Sequence, residues 1–336
     1  MFRTHRTRLP LVFASGAAAA LTLTLTACGN VTGGGGDEDF PNQSITLTVG
    51  QSAGGSTDLI ARSVADGSQN AFGVPMTVEN KPGANGAVAT KEVAGMQPDG
   101  YNLVLLNASL ITVTSLTASE EETVDLDDLD IIMGLSQDDY IMVANAESDI
   151  DTVEDMVTSD ESVSYGTTGV GTASQLAQLL LMNEAEIEGN EVPFDSGAPA
   201  LTAVMGGQVE VATIQLGEAM PQIEAGTIKP VVTFAEERVD YLPDVPTAVE
   251  EGYDVPVSQY RALALPAGAD EEVLSTLREG VAEITQTEAY QQFNEDNFLT
   301  PAEISGDEVR EQWTELADRY AALVEENDID LGGSQS

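Results

Sequence analysis

Beyond its first 28 residues the chain contains neither histidine nor cysteine, because His5 and Cys28 are the only residues of those types. Without imidazole or thiol, the body of the chain cannot build Ser-His-Asp or Cys-His catalytic groups, or zinc sites based on these ligands. A disulfide framework is excluded because a single cysteine has no partner in the chain. Carboxylate acid–base chemistry and oxygen-ligand metal sites remain possible.

Basic residues are also scarce: 12 lysines and arginines stand against 57 aspartates and glutamates. Three of the twelve lie within the first eight residues, so the rest carries nine and a net charge of about −48. Such a protein repels nucleic acid, and we expect no nucleic-acid partner. We interpret so acidic a composition as that of a protein from a halophilic or salt-tolerant source. The acidic run 125–130 lacks the spacing of an EF-hand, and we expect no metal and no cofactor.

The N-terminus has the features of a lipoprotein signal. Arg3, Arg6 and Arg8 precede an uncharged run at 11–26, which is short for a membrane-spanning helix. Leu-Thr-Ala-Cys at 25–28 resembles a lipobox. We predict a signal peptide at 1–27, lipid attachment at Cys28, and a location on the outer face of the cytoplasmic membrane, at the cell surface or in the periplasm. Four consecutive glycines predict a flexible tether over 28–40. The alternative is an uncleaved anchor with an incidental cysteine.

The segment ITLTVGQSAGGSTDLIARSV, residues 45–64, predicts a strand, a glycine turn and the start of a helix. Apolar residues alternate in the first five positions, Gly54 and Gly55 permit a tight reversal, and Ser56 begins a stretch typical of helix starts. The free N–H groups and positive dipole end of a helix N-terminus form a ready anion site. The spacing is neither GxGxxG nor GxxxxGK[ST], so a nucleotide is not the first ligand to expect.

A second unit of this kind begins at residue 163 and contains Thr167, Thr168, Gly169 and Thr172 before an apolar helical stripe. Two such units predict two α/β domains that present helix N-termini to a shared crevice. Further strands are predicted near residues 103–106, 131–133 and 141–143. Helices are predicted over 59–71, 84–94 and 152–157, and two core-facing helices are predicted near the C-terminus.

Five blocks carry a resemblance to a known family: AGGSTDLIAR, VENKPGANG, PDGY, ALTAVMGGQVE and LPDVPTAVEEGY. In this order the chain resembles, from about residue 45 to about residue 313, the substrate receptors of tripartite tricarboxylate transporters, the Bug or TctC family. The resemblance implies a type II periplasmic-binding-protein fold, with two α/β lobes that close on a ligand like a Venus flytrap. It implies a lobe one of residues 40–140 plus 261–330 and a lobe two of residues 141–260, with crossings near 141–145 and 261–266.

In the family, the ligand carboxylate lies on the first strand–helix loop, contacted by backbone amides and waters, and the second loop closes from the other lobe. Asp58 occupies the position of the family's aspartate, which is expected to order water or the loop. Its other possible role is that of a first-turn helix residue paired with Arg62. The resemblance implies these ligand-binding residues: Gln51, Ser52, Ala53, Gly54, Gly55, Ser56, Thr57, Asp58, Asn107, Ser109, Thr167, Thr168, Gly169, Thr172, Phe194 and Asp195.

The chain departs from the family pattern at three positions. Gly50 and Gln51 stand where the family commonly has Pro-Phe or Pro-Trp, and Gln51 brings hydrogen-bonding groups. Asp195 stands where a basic residue is common, and Ser196 replaces a frequent glycine. An acid facing the pocket at Asp195 would oppose a second ligand carboxylate. We therefore favour a monocarboxylate, an amide-bearing acid or an aromatic acid over citrate.

The leading hypothesis is a monomeric, lipid-anchored receptor that captures a small carboxylic acid and delivers it to membrane-embedded transporter subunits, without catalysis. Two alternatives stay open. The protein is a ligand receptor for a membrane sensor kinase, or it is a carboxylate-based enzyme on the same scaffold. The missing histidine and cysteine, and the lack of a motif with catalytic spacing, argue against the enzyme.

Overall fold

The computed structural model describes residues 40–118, 123–159 and 161–332. The predicted signal peptide, the lipid-attachment residue Cys28 and the predicted tether up to residue 39 lie outside the described residues. Among the helices that are described, none is long and apolar enough to span a bilayer. The same residues contain no group of three or more histidine, cysteine, aspartate or glutamate side chains placed to hold a metal ion.

Alternating strands and helices follow the predicted pattern along the described chain. The strands are β1 Ile45–Val49, β2 Met76–Asn80, β3 Asn102–Asn107, β4 Leu129–Asn145, β5 Val163–Thr167, β6 Gly189–Pro193, β7 Val211–Gln215, β8 Ile228–Thr233, β9 Ser258–Pro266 and β10 Thr300–Pro301. The helices are α1 Ser56–Ala71, α2 Ala87–Ala94, α3 Ala108–Thr112, α4 Val153–Val157, α5 Ala173–Glu184, α6 Gly197–Met205, α7 Leu216–Glu224, α8 Glu271–Thr285, α9 Glu288–Asp296 and α10 Gly306–Glu326.

The start of the predicted helix over 84–94 is different in the structure. Ala84–Gly86 forms a short 3₁₀ turn, and α2 begins only after it. Asn85 has a φ of 50° in this turn, which is the left-handed region. A regular α-helix cannot continue through such a residue, so the turn stays separate from α2.

The strands form one mixed sheet in the order β2-β1-β3-β9-β4-β7-β5-β6, and β8 and β10 pair with β4 off this path. The three strands at each end of the sheet run parallel to one another. In the centre, β9 and β4 run antiparallel to their neighbours. Parallel neighbours need crossover connections, which explains the alternation of strands and helices.

Strand β4 joins the two ends of the sheet. It is one strand of 17 residues, where the sequence predicted two short strands. It pairs with β9 up to Asp139, which lies opposite Ser258, and from Tyr140 onward it pairs with β7 and β8. We call β1–β3, β9, β10 and β4 up to Asp139 the first half, and β5–β8 with the rest of β4 the second half. The predicted crossings at 141–145 and 261–266 lie a few residues farther along, inside paired strands, and the lobe boundaries stay a prediction.

Each half of the sheet carries a hydrophobic cluster on both faces. In the first half, Leu47 belongs to one cluster and Trp313 to the other. In the second half, Leu176 and Ile214 mark the two clusters. Helix α10 bridges the halves, because its Trp313 packs in a first-half cluster and its Tyr320 in a second-half cluster. The last helix, predicted to belong to lobe one, therefore contacts the cores of both halves.

Candidate functional site

The first strand–helix loop joins β1 to α1. Gly54 has a φ of 89°, a left-handed conformation that favours glycine. Gly55 occupies the N-cap position of α1 and makes no side-chain cap bond. The N–H groups of the first helical turn have no carbonyl partners within a helix, and here no cap side chain takes their place. The start of α1 therefore has N–H groups available to an anion.

Asp58 holds this loop in place from within. Its carboxylate accepts hydrogen bonds from the N–H of Gly54 at 2.8 Å, from Nδ2 of Asn80 at 2.9 Å, and from Nε and Nη2 of Arg62 at 3.0 and 2.9 Å. Burial alone would raise the pKa of Asp58, but the bonds from Arg62, Gly54 and Asn80 outweigh it and hold the pKa below the usual value. Asp58 therefore contacts both Gly54 of the loop and Arg62, and its part in ligand binding stays a prediction.

The hydroxyl groups of Ser56 and Thr57 bind buried residues of the first half. Oγ of Ser56 donates to Oδ2 of Asp138 at 2.8 Å. Oγ1 of Thr57 donates to Oδ1 of Asn107 at 3.3 Å and accepts from Nε of Arg261 at 3.2 Å. These two predicted site residues therefore connect the start of α1 to strands β3, β4 and β9. Their backbone N–H groups, more than their hydroxyls, are the groups left for a ligand.

Ser109, in the first turn of α3 directly after β3, lies in a polar network with Asn85 and Gln259. Its N–H donates to Oε1 of Gln259 at 3.0 Å, and Nε2 of Gln259 donates to Oγ of Ser109 at 2.8 Å. Nδ2 of Asn85 donates to Oγ of Ser109 and to Oγ1 of Thr114, each at 3.0 Å. Asn85, from the VENKPGANG block, was not among the predicted site residues. It fastens the 3₁₀ turn before α2 to the segment that follows β3.

The second strand–helix loop joins β5 to α5. Several of its backbone N–H groups already donate to side chains of α5. The N–H of Thr168 donates to Oγ of Ser174 at 3.1 Å, and the N–H of Gly171 donates to Oε1 of Gln175 at 2.8 Å. Thr172 caps α5 by accepting from the N–H of Gln175. The predicted anion cradle at Thr167–Thr172 thus has fewer free N–H groups than its composition indicates.

The two halves of the protein contact each other beside these loops. Oγ1 of Thr114 donates to the carbonyl oxygen of Gly171 at 3.0 Å. A side chain at Gly171 would meet the hydroxyl of Thr117, so glycine permits the close approach. Elsewhere, Tyr241 packs edge-on against Phe298 with ring centroids 5.2 Å apart. The second loop is therefore in contact with the segment that follows β3.

A buried group of charges was not predicted from the sequence. We call Asp138, Arg261 and Glu218 the charge cluster. Nη2 of Arg261 lies 3.1 Å from Oδ2 of Asp138, and both side chains are 1% exposed. Oδ2 of Asp138 also accepts from Nε2 of Gln215 at 2.9 Å. Since Ser56 donates to the same oxygen, Asp138 links the first loop to the end of β7 in the second half.

Glu218 lies in the first turn of α7, and its carboxylate occupies the space that a Cβ at Gly197 would need. Burial raises the pKa of Glu218 to about 7, with a further increase from Asp138 and an opposing effect of Arg261. The buried side-chain atoms that have no hydrogen-bond partner among the described residues include Nη1 of Arg261, Oδ1 of Asp138 and Oε2 of Glu218, and also Oε1 of Gln51 in the first loop.

The remaining predicted residues differ in their exposure. Ser52, Ala53 and Asp195 are exposed, whereas Phe194 is half-buried and packs beside a second-half cluster. Asp195 therefore differs from Glu218, which is half-buried and has its Oε2 shielded from solvent.

The sequence did contain a signal for the charge cluster, because Arg261 is the only charged residue of β9. An isolated charge in an apolar strand indicates a buried ion pair.

Comparison with protein families and curated proteins gives consistent matches. The family model described as "Tripartite tricarboxylate transporter family receptor" matches residues 60–329. The Agrobacterium vitis "UPF0065 protein in the TAR-I ttuE-ttuC' intergenic region" is 29% identical over 255 residues, which cover 74% of this chain and 72% of that protein. Protein BugT of Bordetella pertussis is 26% identical over 301 residues, which cover 88% of this chain and 92% of BugT.

Solved structures show the same fold. A structure described as a periplasmic transporter has a TM-score of 0.80 and 26% identity, and the match covers 87% of this chain and all of that one. The periplasmic binding protein BugD has a TM-score of 0.78 and 24% identity over 87% of this chain and 99% of BugD. MatC of Rhodopseudomonas palustris with bound malate has a TM-score of 0.77 and 25% identity over 85% of this chain and all of MatC. The predicted two-lobe α/β fold of periplasmic binding proteins is confirmed.

Proposed function

Because the chain belongs to the family of tripartite tricarboxylate transporter receptors, we propose that it is an extracytoplasmic receptor for a small carboxylic acid. It binds the acid between its two lobes and delivers it unchanged to a membrane transporter of the tripartite tricarboxylate type. The observation that carries this proposal is the first strand–helix loop. Its helix N-terminus has no side-chain cap, and four hydrogen bonds to the buried Asp58 hold it in place.

The site that we propose lies between the first and second strand–helix loops. N–H groups of residues 55–58 bind the carboxylate, and Asn107 and Ser109 lie at the carboxyl end of the neighbouring strand β3. Thr168, Gly169 and Thr172 close the site from the other lobe. The lobes comprise approximately the first and second halves of the sheet. The relative MatC supports an acid as the ligand, since its solved structure contains malate.

Within the first loop, backbone groups supply the attraction for the acid, because residues 51–58 include no lysine or arginine. A partly buried helix N-terminus contributes up to about 2 kcal/mol to the binding of an anion. Charge-assisted hydrogen bonds add about 1.5–3 kcal/mol each. Several such bonds reach the roughly −8 kcal/mol of micromolar affinity after the cost of association.

A thermal-shift screen of the mature protein against a panel of mono-, di- and tricarboxylic acids tests the proposal. We expect at least one acid to raise the melting temperature and to bind in calorimetry with a dissociation constant of about 1 μM. A panel in which no acid stabilises the protein would contradict the function. Uncharged amides and alcohols of matching shape serve as control ligands, and equal stabilisation by them would also contradict it.

We also propose that the protein is held at the outer face of the cytoplasmic membrane by a lipid on Cys28. Cys28→Ala should abolish labelling by a fatty-acid probe, and the protein should then appear in the medium or as an unprocessed precursor. Thr32→Ala, in the predicted tether, is the matched control and should behave as wild type. Membrane fractionation and lipid labelling that are unchanged in Cys28→Ala would rule out the anchor.

A further inference from the structure

The charge cluster is largely buried and incompletely paired, with Asp138 and Arg261 almost fully buried and Glu218 half-buried. The ion pair between Asp138 and Arg261 uses Oδ2 and Nη2. Nη1 of Arg261, Oδ1 of Asp138 and Oε2 of Glu218 are buried and have no partner among the residues that the structure describes. Buried atoms of charged groups that lack hydrogen bonds are costly, and each such atom in a folded protein calls for an explanation, such as a bound molecule.

The cluster adjoins the proposed ligand site on both sides. Arg261 donates through Nε to Thr57 and Asp138 accepts from Ser56, so both touch the start of α1. On the other side, Asp138 accepts from Gln215 at the end of β7. Glu218 follows in the first turn of α7. The unpaired atoms thus belong to residues that connect the first loop with the second half of the protein.

The unpaired atoms include one donor, on Arg261, and two acceptors, on Asp138 and Glu218. A ligand made only of carboxylates provides a partner for the donor but repels the two acids. A ligand that also carries an ammonium group provides partners for all three atoms, because its carboxylate accepts from Arg261 and its ammonium group donates to the two acids. The alternative is that Glu218 is only structural and stabilises the N-terminus of α6 at Gly197.

We propose that this receptor selects small carboxylic acids that also bear a primary ammonium group. The ligand carboxylate faces Arg261 and the N–H groups of the first loop, and the ammonium group faces Asp138 and Glu218. This inference rests on the proposed function as a receptor for carboxylic acids. It names the chemical class of the ligand and the residues that distinguish it from simple acids.

Calorimetry at about pH 8, above the pKa of about 7 of Glu218, tests the inference with matched ligand pairs. The pairs are 4-aminobutyrate with butyrate, aspartate with succinate, and alanine with propionate. In at least one pair, we expect the amino acid to bind wild type at least about tenfold more tightly than its amino-free partner. Glu218→Gln should reduce this preference to below about threefold. Glu224→Gln, on the exposed part of α7, is the matched control and should keep it.

The outcomes separate this inference from the function on which it rests. Amino-free acids that bind at least as tightly as their amino partners in every pair overturn the ligand class and leave the acid receptor standing. A preference that persists in Glu218→Gln overturns the role of Glu218 and favours the structural alternative. If Glu218→Gln does not fold, the wild-type comparison alone decides. Binding by no member of any pair overturns the inference, and failure of the whole acid panel overturns the proposed function.

Discussion

The two strand–helix loops have similar composition but satisfy their N–H groups in different ways. In the second loop, the N–H groups of Thr168 and Gly171 donate to side chains of the helix that follows, and Thr172 caps that helix. In the first loop, Asp58 accepts from the N–H of Gly54, and α1 has no side-chain cap. Glycine with serine or threonine therefore does not by itself make an anion site. Whether nearby side chains accept from the backbone N–H groups decides how many of these groups are free to bind an anion.

The carboxylates of Asp58 and Glu218 also differ, both in their hydrogen-bond partners and in their pKa. Asp58 accepts four hydrogen bonds, which keep its pKa below the usual value despite burial. Glu218 has an unpartnered oxygen, and burial raises its pKa to about 7. The same chemical group is thus held ionised where donors surround it and held partly protonated where they do not. Asp58 accepts from its own loop, whereas Oε2 of Glu218 has no partner among the described residues.

The largest expected effect tests the difference between the loops. Gly55→Val should weaken binding of the best acid about a hundredfold, because the side chain covers N–H groups worth roughly 3 kcal/mol together. The fold should tolerate it, since the φ of Gly55 is −83° and its Cβ would have only the carbonyl of Ser52 nearby, at 3.8 Å. Calorimetry measures the affinity, and a melting curve shows whether the fold is preserved. Gly95→Val, at an exposed glycine with a φ of −81° outside both loops, is the matched control and should change affinity less than about threefold. Wild-type affinity in Gly55→Val would mean that the anion binds elsewhere.

The pH dependence of stability tests the difference between the carboxylates. The folded-state pKa of Glu218 is about 7, above its ordinary value of 4.5, so the folded state retains a proton that the unfolded state releases. Its contribution to the free energy of unfolding is complete below about pH 4.5 and is lost, by up to about 3 kcal/mol, as the pH rises to 7. Denaturant unfolding of wild type and Glu218→Gln across this range measures the difference. Two parallel pH profiles would show that Glu218 titrates normally.

Asp58→Ala tests the role of Asp58 in ordering the first loop. We expect the free energy of unfolding to fall by about 2 kcal/mol and affinity to fall about tenfold, because Gly54, Asn80 and Arg62 lose their shared acceptor. Asp66→Ala, an exposed residue of the same helix, should leave both quantities nearly unchanged. Denaturation and calorimetry measure them. Tighter binding in Asp58→Ala would indicate that Asp58 acts mainly by repelling the ligand.

The smallest expected effect is that of salt on stability, which distinguishes repulsion among surface charges from the interactions of buried charges. Raising NaCl from 0.1 to 1 M shortens the Debye length from about 10 Å to about 3 Å and screens the repulsion among surface carboxylates. The melting temperature should therefore rise by several degrees. The pH-dependent difference between wild type and Glu218→Gln should persist at high salt, because buried charges are screened less. A melting temperature that is flat or falls with salt would contradict the surface argument.

Local pattern predicted much of the fold. The alternating residues of β1, the glycine turn and the stripe of α1 lie within one continuous stretch, so their signal did not depend on distant residues. The family motifs indicated the two-lobe fold and the first loop as the anion site, whose ligand-binding residues stay predictions. The unbroken length of β4 was missed because polar residues such as Gln137 and Asp139 interrupt its apolar pattern. Those residues are accommodated by partners such as Ser258 from β9.

The sequence by itself determined the elements whose causes are local: periodicity, turn glycines, and the absence of imidazole and thiol groups from the body of the chain. The tertiary structure alone decided which charges are buried and which are paired. Arg261 and Asp138 are far apart in the chain, and only the pairing of β9 with β4 brings them together. Burial then gives Glu218 its raised pKa, because desolvation depends on what surrounds a carboxylate in space and not on its neighbours in sequence.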